Sequence, residues 1–274
     1  MSPDVISTED LVYAEADGSK LMLNLYRPAG DGQVPAVLYL HGGGWRHGDR
    51  TTDVDTRVLP VARAGLAVAT IDYRLAPRAT YPAQIHDVKA ATRWLRGHAA
   101  EHGLRAGRVG VWGASAGAML GTLAALTPGD QALEGSLGDE GSQSSALDAV
   151  VHWFGPTDFV ATATRTPMEA GLLPPPPESV LFGEGAADNV AATVAPASPI
   201  ERIHAGAPPF LIIHGDRDRM VPLADAQAFH EALSRAGVEN SMVTVGGAGH
   251  EDPRFQQPTI LGLTAAFLLA SLDD

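Results

Sequence analysis

Continuous apolar runs of strand length recur along the chain, and each breaks off at a glycine-rich or charged turn. Ala36-Val37-Leu38-Tyr39-Leu40 runs into His41-Gly42-Gly43-Gly44-Trp45, and Val109-Gly110-Val111-Trp112 runs into Gly113-Ala114-Ser115-Ala116-Gly117. Leu66 to Tyr73, Ala149 to Phe154 and Phe210 to Ile213 repeat the pattern, and Ser241 to Val245 is expected as the last strand. Runs that stay apolar on both alternations are those of strands covered on both faces. Between them the period changes. Ala83 to Arg96 places Ile85, Val88, Ala91 and Leu95 on one helical face behind Pro82, which suits a helix start. The alanine-rich Ala118 to Leu126, the spacing of Leu223, Ala226, Phe229, His230 and Leu233, and Thr259 to Leu272 predict three more helices. Only Leu11 to Tyr26 alternates like an antiparallel hairpin, about the turn Ala16-Asp17-Gly18-Ser19. The alternation of strand and helix predicts an α/β fold with a mostly parallel central sheet flanked by helices.

Two stretches interrupt it. Thr127 to Ser145, rich in Gly, Ser and acidic residues, is expected as an exposed, partly mobile loop. From Thr157 to Ile200 the strand pattern lapses around the proline run Pro174 to Pro177, and residues 157–200 are expected to be an insertion covering a site. A single domain over residues 1–274 accommodates both, since a chain of 274 residues buries a sizeable core.

Charge narrows the partners. With 32 acidic against 19 basic residues the formal net charge is −13, which argues against nucleic acid and anionic membrane and favours a small neutral ligand. The absence of cysteine excludes disulfides, thiolate metal sites and a cysteine nucleophile. The acidic start, Met1-Ser2-Pro3-Asp4, lacks the features of a secretion signal, and the longest apolar run, Leu261 to Leu272, is helix-sized, so a cytoplasmic protein with no membrane span is expected. Self-association into a homo-oligomer is left open.

The candidate chemistry lies where strands end. A serine between a strand and a helix, with glycine two residues to either side, fits a tight turn that lets the two backbones approach, lifts the hydroxyl clear and leaves the Ala116 amide at a helix N-terminus. An ordinary strand-to-helix turn is the alternative. Three glycines after the Ala36 to Leu40 strand suit outward-turned amides, or simply a flexible turn. His214-Gly215-Asp216-Arg217-Asp218 and Gly249-His250 close two later strands, so Ser115, Asp218 and His250 appear in the order nucleophile, acid, base. Ser115 would need His250 to take its proton and a carboxylate to orient the imidazole. Asp218 is preferred for that place over Asp216, which suits a turn, and Glu251 is too close to His250 to orient it. His41 and His214 are expected to brace loops, His152 to be buried, and Asp72, Arg74 and Asp87 to form a buried polar network. No histidine pair has metal-ligand spacing with carboxylate support, and no dinucleotide fingerprint is present, so no metal and no cofactor are expected.

Taken together, His41-Gly42-Gly43-Gly44-Trp45, Asp72-Tyr73-Arg74-Leu75-Ala76-Pro77, Gly113-x-Ser115-Ala116-Gly117, the Asp218 turn with Val221-Pro222, and Gly249-His250 resemble the hormone-sensitive-lipase-like α/β-hydrolase esterases. Trp153 to Asp158 is similar to a segment of the bacterial feruloyl-esterase-like branch. Arg78 and Ala118 depart from the lipase-like pattern. The resemblance implies a cofactor-free carboxylic-ester hydrolase, with the amides of Gly43, Gly44 and Ala116 as oxyanion donors. The expected substrate is a small, short-chain acyl ester, with Trp45, Trp153, Phe154, Leu181 and Phe182 as candidate apolar walls. An amide hydrolase (peptidase or arylformamidase) and a non-catalytic ligand-binding relative are the alternatives.

Overall fold

The structure is a computed structural model that describes residues 4–160, 168, 179–183 and 194–273. Most of the 157–200 segment, with its proline run, lies outside the described residues.

Eight strands form one sheet in the order β1-β2-β4-β3-β5-β6-β7-β8: β1 (Val5–Ala16), β2 (Ser19–Pro28), β3 (Val34–Leu40), β4 (Ala67–Ile71), β5 (Leu104–Ala114), β6 (Ala149–Trp153), β7 (Phe210–Gly215) and β8 (Asn240–Val245). The hairpin β1/β2 and the β2/β4 contact are antiparallel, and every pairing from β4 through β8 is parallel. Parallel strands need crossovers, here helical, and they send all their C-terminal ends to one edge. This is the mostly parallel, helix-flanked α/β sheet that the pattern predicts.

Successive residues on each strand serve opposite layers. Val111 and Ile212 point into one core with helices α2 (Ala83–Gly97), α3 (Ala116–Leu126) and the later helix over Leu223–Arg235. Their neighbours Trp112 and Ile213 point into the other, with α1 (Leu59–Arg63) and the terminal helix Pro258–Leu272. Every residue of α3 is buried, which is why it shows no polar face. The terminal helix buries Leu261, Thr264, Ala265, Leu268 and Leu272, a stripe at helical spacing.

The stretch from Thr127 to Ser145 differs from the expected exposed loop. It carries the short helix α4 (Gln131–Glu134), and Leu133 and Ser145 are buried. The reason lies on α2: Lys89 is fully buried, and a buried ammonium needs a counter-charge. Glu134 supplies it at 2.7 Å and also pairs with Arg93 at 3.2 Å, pinning the stretch to α2. The expected polar network is divided. Arg74 pairs with the fully buried Asp87 at 2.8 Å, whereas Asp72 pairs with Arg50 at 2.7 Å. Among the described residues no helix is long and apolar enough to cross a membrane.

Candidate active site

β5, β7 and β8 deliver their C-terminal loops to the same sheet edge. Ser115 joins β5 to α3 with φ 52° and ψ −118°, a conformation that costs a non-glycine residue about 1–3 kcal/mol. Its surroundings impose it. The Ser115 amide donates to the Trp153 carbonyl at 2.9 Å, and the Ser115 carbonyl accepts from Met119 at 3.2 Å. A Cβ on Gly117 would stand 2.1 Å from the Leu40 carbonyl oxygen, and one on Gly113 would stand 2.4 Å from the Gly117 carbonyl carbon. Both obstacles are backbone, so neither can rotate aside. Gly117→Ala is therefore expected to prise α3 from β3, at about 3 kcal/mol, and to lower Tm by roughly 6–12 °C. A thermal melt indistinguishable from the parent would refute that close approach.

The His250 Nε2 lies 2.8 Å from Ser115 Oγ, and His250 Nδ1 lies 2.7 Å from Asp218 Oδ2. Asp218 Oδ1 accepts from the amides of Met220 and Val221 at 2.8 and 2.9 Å. A second imidazole completes the shell: His214 Nε2 lies 2.9 Å from the Val221 carbonyl oxygen and 3.3 Å from Asp218 Oδ2. A carbonyl only accepts, so that nitrogen carries the proton. Burial opposes the Asp218 charge, but hydrogen bonds from His214, His250 and Val221 outweigh it and hold the carboxyl well below the usual carboxylate range. An ionised Asp218 assigns the His250 proton to Nδ1 and leaves Nε2 as the acceptor facing the serine hydroxyl. Asp216 instead accepts from the Gly247 amide, and Glu251 pairs with Arg57, so neither competes for His250.

The glycine loop after β3 lies beside this array. Gly43 and Gly44 have φ of 113° and 59°, and the Gly43 carbonyl accepts from Arg46 and His47, both at 3.1 Å. Among the described residues the amides of Gly43, Gly44 and Ala116 have no acceptor. Three unclaimed N–H groups near a serine are what a developing oxyanion requires. Tyr73 braces the loop, stacking on His41 at 4.3 Å and donating to the His41 carbonyl at 2.9 Å. Tyr73 belongs to the Asp72-to-Pro77 motif, but nothing in its spacing reveals the contact with His41.

The expected apolar walls need correction. Trp153, Phe154 and Leu181 are fully buried and Trp45 is nearly so, which leaves Phe182 alone of the five expected walls partly exposed. Trp153 faces the layer of Trp112 and Phe255, and Phe154 sets its ring edge-on to His250 at 5.1 Å, backing the imidazole. Trp45 and Phe182 stand in one aromatic row with Phe159 between them, at centroid distances of 5.9 and 5.4 Å. His152 is buried as expected, between Thr122 and the Gly155 carbonyl, and burial pushes it down to about 4, so it stays neutral.

Known proteins carry the same framework. A carbohydrate esterase from gut microbiota, solved in truncated form, superposes with a TM-score of 0.87 at 30% identity, covering 97% of this chain and 96% of that one. Propionate-bound esterase Est2 of Thermogutta terrifontis gives a TM-score of 0.77 at 26% identity, over 96% and 93% of the two chains. Esterase LipC of Mycobacterium tuberculosis is 36% identical over 220 residues, which is 79% of this chain and 53% of LipC. The chain thus spans about half the length of the curated relatives it matches. The BD-FAE family model matches residues 23–233, a span that takes in the glycine loop, the serine turn and the Asp218 turn, and the chain therefore belongs to the BD-FAE family.

Proposed function

We propose that the chain is a carboxylic-ester hydrolase acting on small, short-chain acyl esters through an acyl-enzyme. One observation carries this reading: the unbroken relay from Ser115 Oγ through His250 to Asp218, with links of 2.8 and 2.7 Å. In the first half-reaction Oγ attacks the ester carbonyl while His250 Nε2 takes its proton, and Asp218 stabilises the imidazolium that results. The carbonyl oxygen becomes an oxyanion that accepts from the amides of Gly43, Gly44 and Ala116. Collapse breaks the C–O bond to the alcohol, which leaves with the proton from His250. Water then adds to the acyl-serine with His250 as base, and the carboxylic acid leaves as Ser115 regains its proton. The hydrolase relatives support the reaction class, and the propionate and butyrate in the Est2 complexes support a short acyl chain.

An ester series tests it. Phenyl acetate and butyrate are expected to turn over at least about tenfold faster than the decanoate and than the anilide of the same acid, with one hydroxycinnamate ester included. A fluorophosphonate is expected to label Ser115. An unlabelled Ser115 and no turnover of any ester would end the proposal, and an anilide faster than its ester would favour amide hydrolysis.

A further inference from the structure

Arg57 takes no part in that proton path, yet it lies buried at 1% exposure where three parts of the site meet. It stands on a single π-type turn, Val54–Val58. One terminal nitrogen lies 2.9 Å from Asp53 and donates to the Tyr39 hydroxyl at 3.2 Å; the other pairs with Glu251 Oε2. The guanidinium also lies 5.5 Å from the centre of the Trp153 ring. Tyr39 is on β3, which leads into the glycine loop. Glu251 follows His250, and the Trp153 carbonyl holds the Ser115 amide. Glu251 has φ 55°, and that turned backbone is held with its carboxylate tied to Arg57. Its other oxygen lies 2.6 Å from where a Gly42 Cβ would be, a point itself 3.5 Å from Ser115 Cβ. The carboxylate therefore rests against the glycine loop, a few ångströms from the nucleophile. A lone negative charge there would oppose the oxyanion and favour an imidazolium on His250. Arg57 cancels it.

We infer that Arg57 and Glu251 are a positioning pair, in which the buried guanidinium holds the carboxylate so that it ties the loop of Gly42 to the loop of His250 and keeps the charge beside the imidazole balanced. The inference rests on the esterase reading above. Burial disfavours the charge on Arg57, but Tyr39, Glu251 and Asp53 more than restore it, so the guanidinium stays charged. The remaining charged neighbours are Asp218 on the ring, His214 behind Asp218, Asp53 behind Arg57, and the pair formed by Asp252 and Arg254 at 2.9 Å.

The signs are opposite for the two members. In Arg57→Met the uncompensated carboxylate favours the imidazolium, so His250 titrates at higher pH. In Glu251→Gln one negative charge is lost while Arg57 stays paired with Asp53, which disfavours the imidazolium, so His250 titrates at lower pH. Shifts of roughly half a pH unit are expected in each, returning to within about 0.2 unit of the parent in the double variant. The measurement is the NMR titration of the His250 ring, together with the acid limb of kcat/KM for phenyl acetate. Both single variants are expected to lose kcat about fivefold with KM little changed, because the loops and not the ground-state contacts are disturbed. Should Arg57→Met fail to fold, the half-exposed Glu251 carries the test alone: Gln lowers the titration, whereas Asp keeps the charge and the titration but loses kcat. Folded variants whose His250 titration matches the parent, or moves in one common direction, would overturn the inference. A parent that turns over no ester overturns the esterase reading alone, since the ring titration still reads the pair.

Discussion

Ser115→Ala is expected to lower kcat for phenyl acetate by on the order of 10⁵-fold while leaving Tm close to the parent value. The hydroxyl is the nucleophile in the proposed path, and among the described residues its side-chain hydrogen bond is the 2.8 Å link to His250. Alanine keeps the backbone bonds to Trp153 and Met119 that fix the turn, so the fold loses little. What survives is the donor array of Gly43, Gly44 and Ala116, which polarises a carbonyl without supplying a nucleophile; a residual rate above water is therefore expected. A variant within about tenfold of the parent would remove Ser115 from the chemistry.

Asp218→Asn is expected to cost on the order of 10⁴-fold in kcat, through the tautomer rather than the fold. The amides of Met220 and Val221 both donate to Oδ1, so the side-chain oxygen of asparagine must take that place. Its NH₂ then faces His250 Nδ1 and donates to it, which drives the ring proton onto Nε2. An Nε2–H cannot accept the serine proton. The same NH₂ would confront the proton on His214 Nε2, 3.3 Å from the present Oδ2, at the cost of a poor donor-to-donor contact. A ¹⁵N spectrum of His250 would report the exchanged tautomer directly, and an Asn variant with parental kcat would show that the carboxylate does not govern the ring.

Much of the site was legible because its parts are short. Gly113 to Gly117 and His214 to Asp218 directly follow apolar runs, Gly249-His250 lies four residues past the last strand, and the ends of neighbouring parallel strands meet at one edge whatever the loops do. The walls were not legible for the complementary reason. In a sheet covered on both faces, apart from His152 the residues of β6 are apolar on both alternations, so hydrophobicity along the strand does not tell which layer Trp153 enters. Lys89 on α2 was hidden likewise, since its partner Glu134 stands 45 residues away in a stretch whose composition reads as solvated. Arg57 left no trace at all. It sits in a turn without helical period, and the carboxylate it holds is 194 residues distant.

The partners in the relay come from crossovers far apart in the polypeptide, the alcohol and imidazole being separated by 135 residues. Contacts of such range are costly in chain entropy until the intervening strands have docked. During synthesis on the ribosome, then, the serine turn emerges and can settle against β3 well before any base exists to activate it. On the proposed mechanism, reactivity toward esters can arise only after His250 has been made and its loop has docked, so an unfinished chain is chemically silent toward the acyl donors around it.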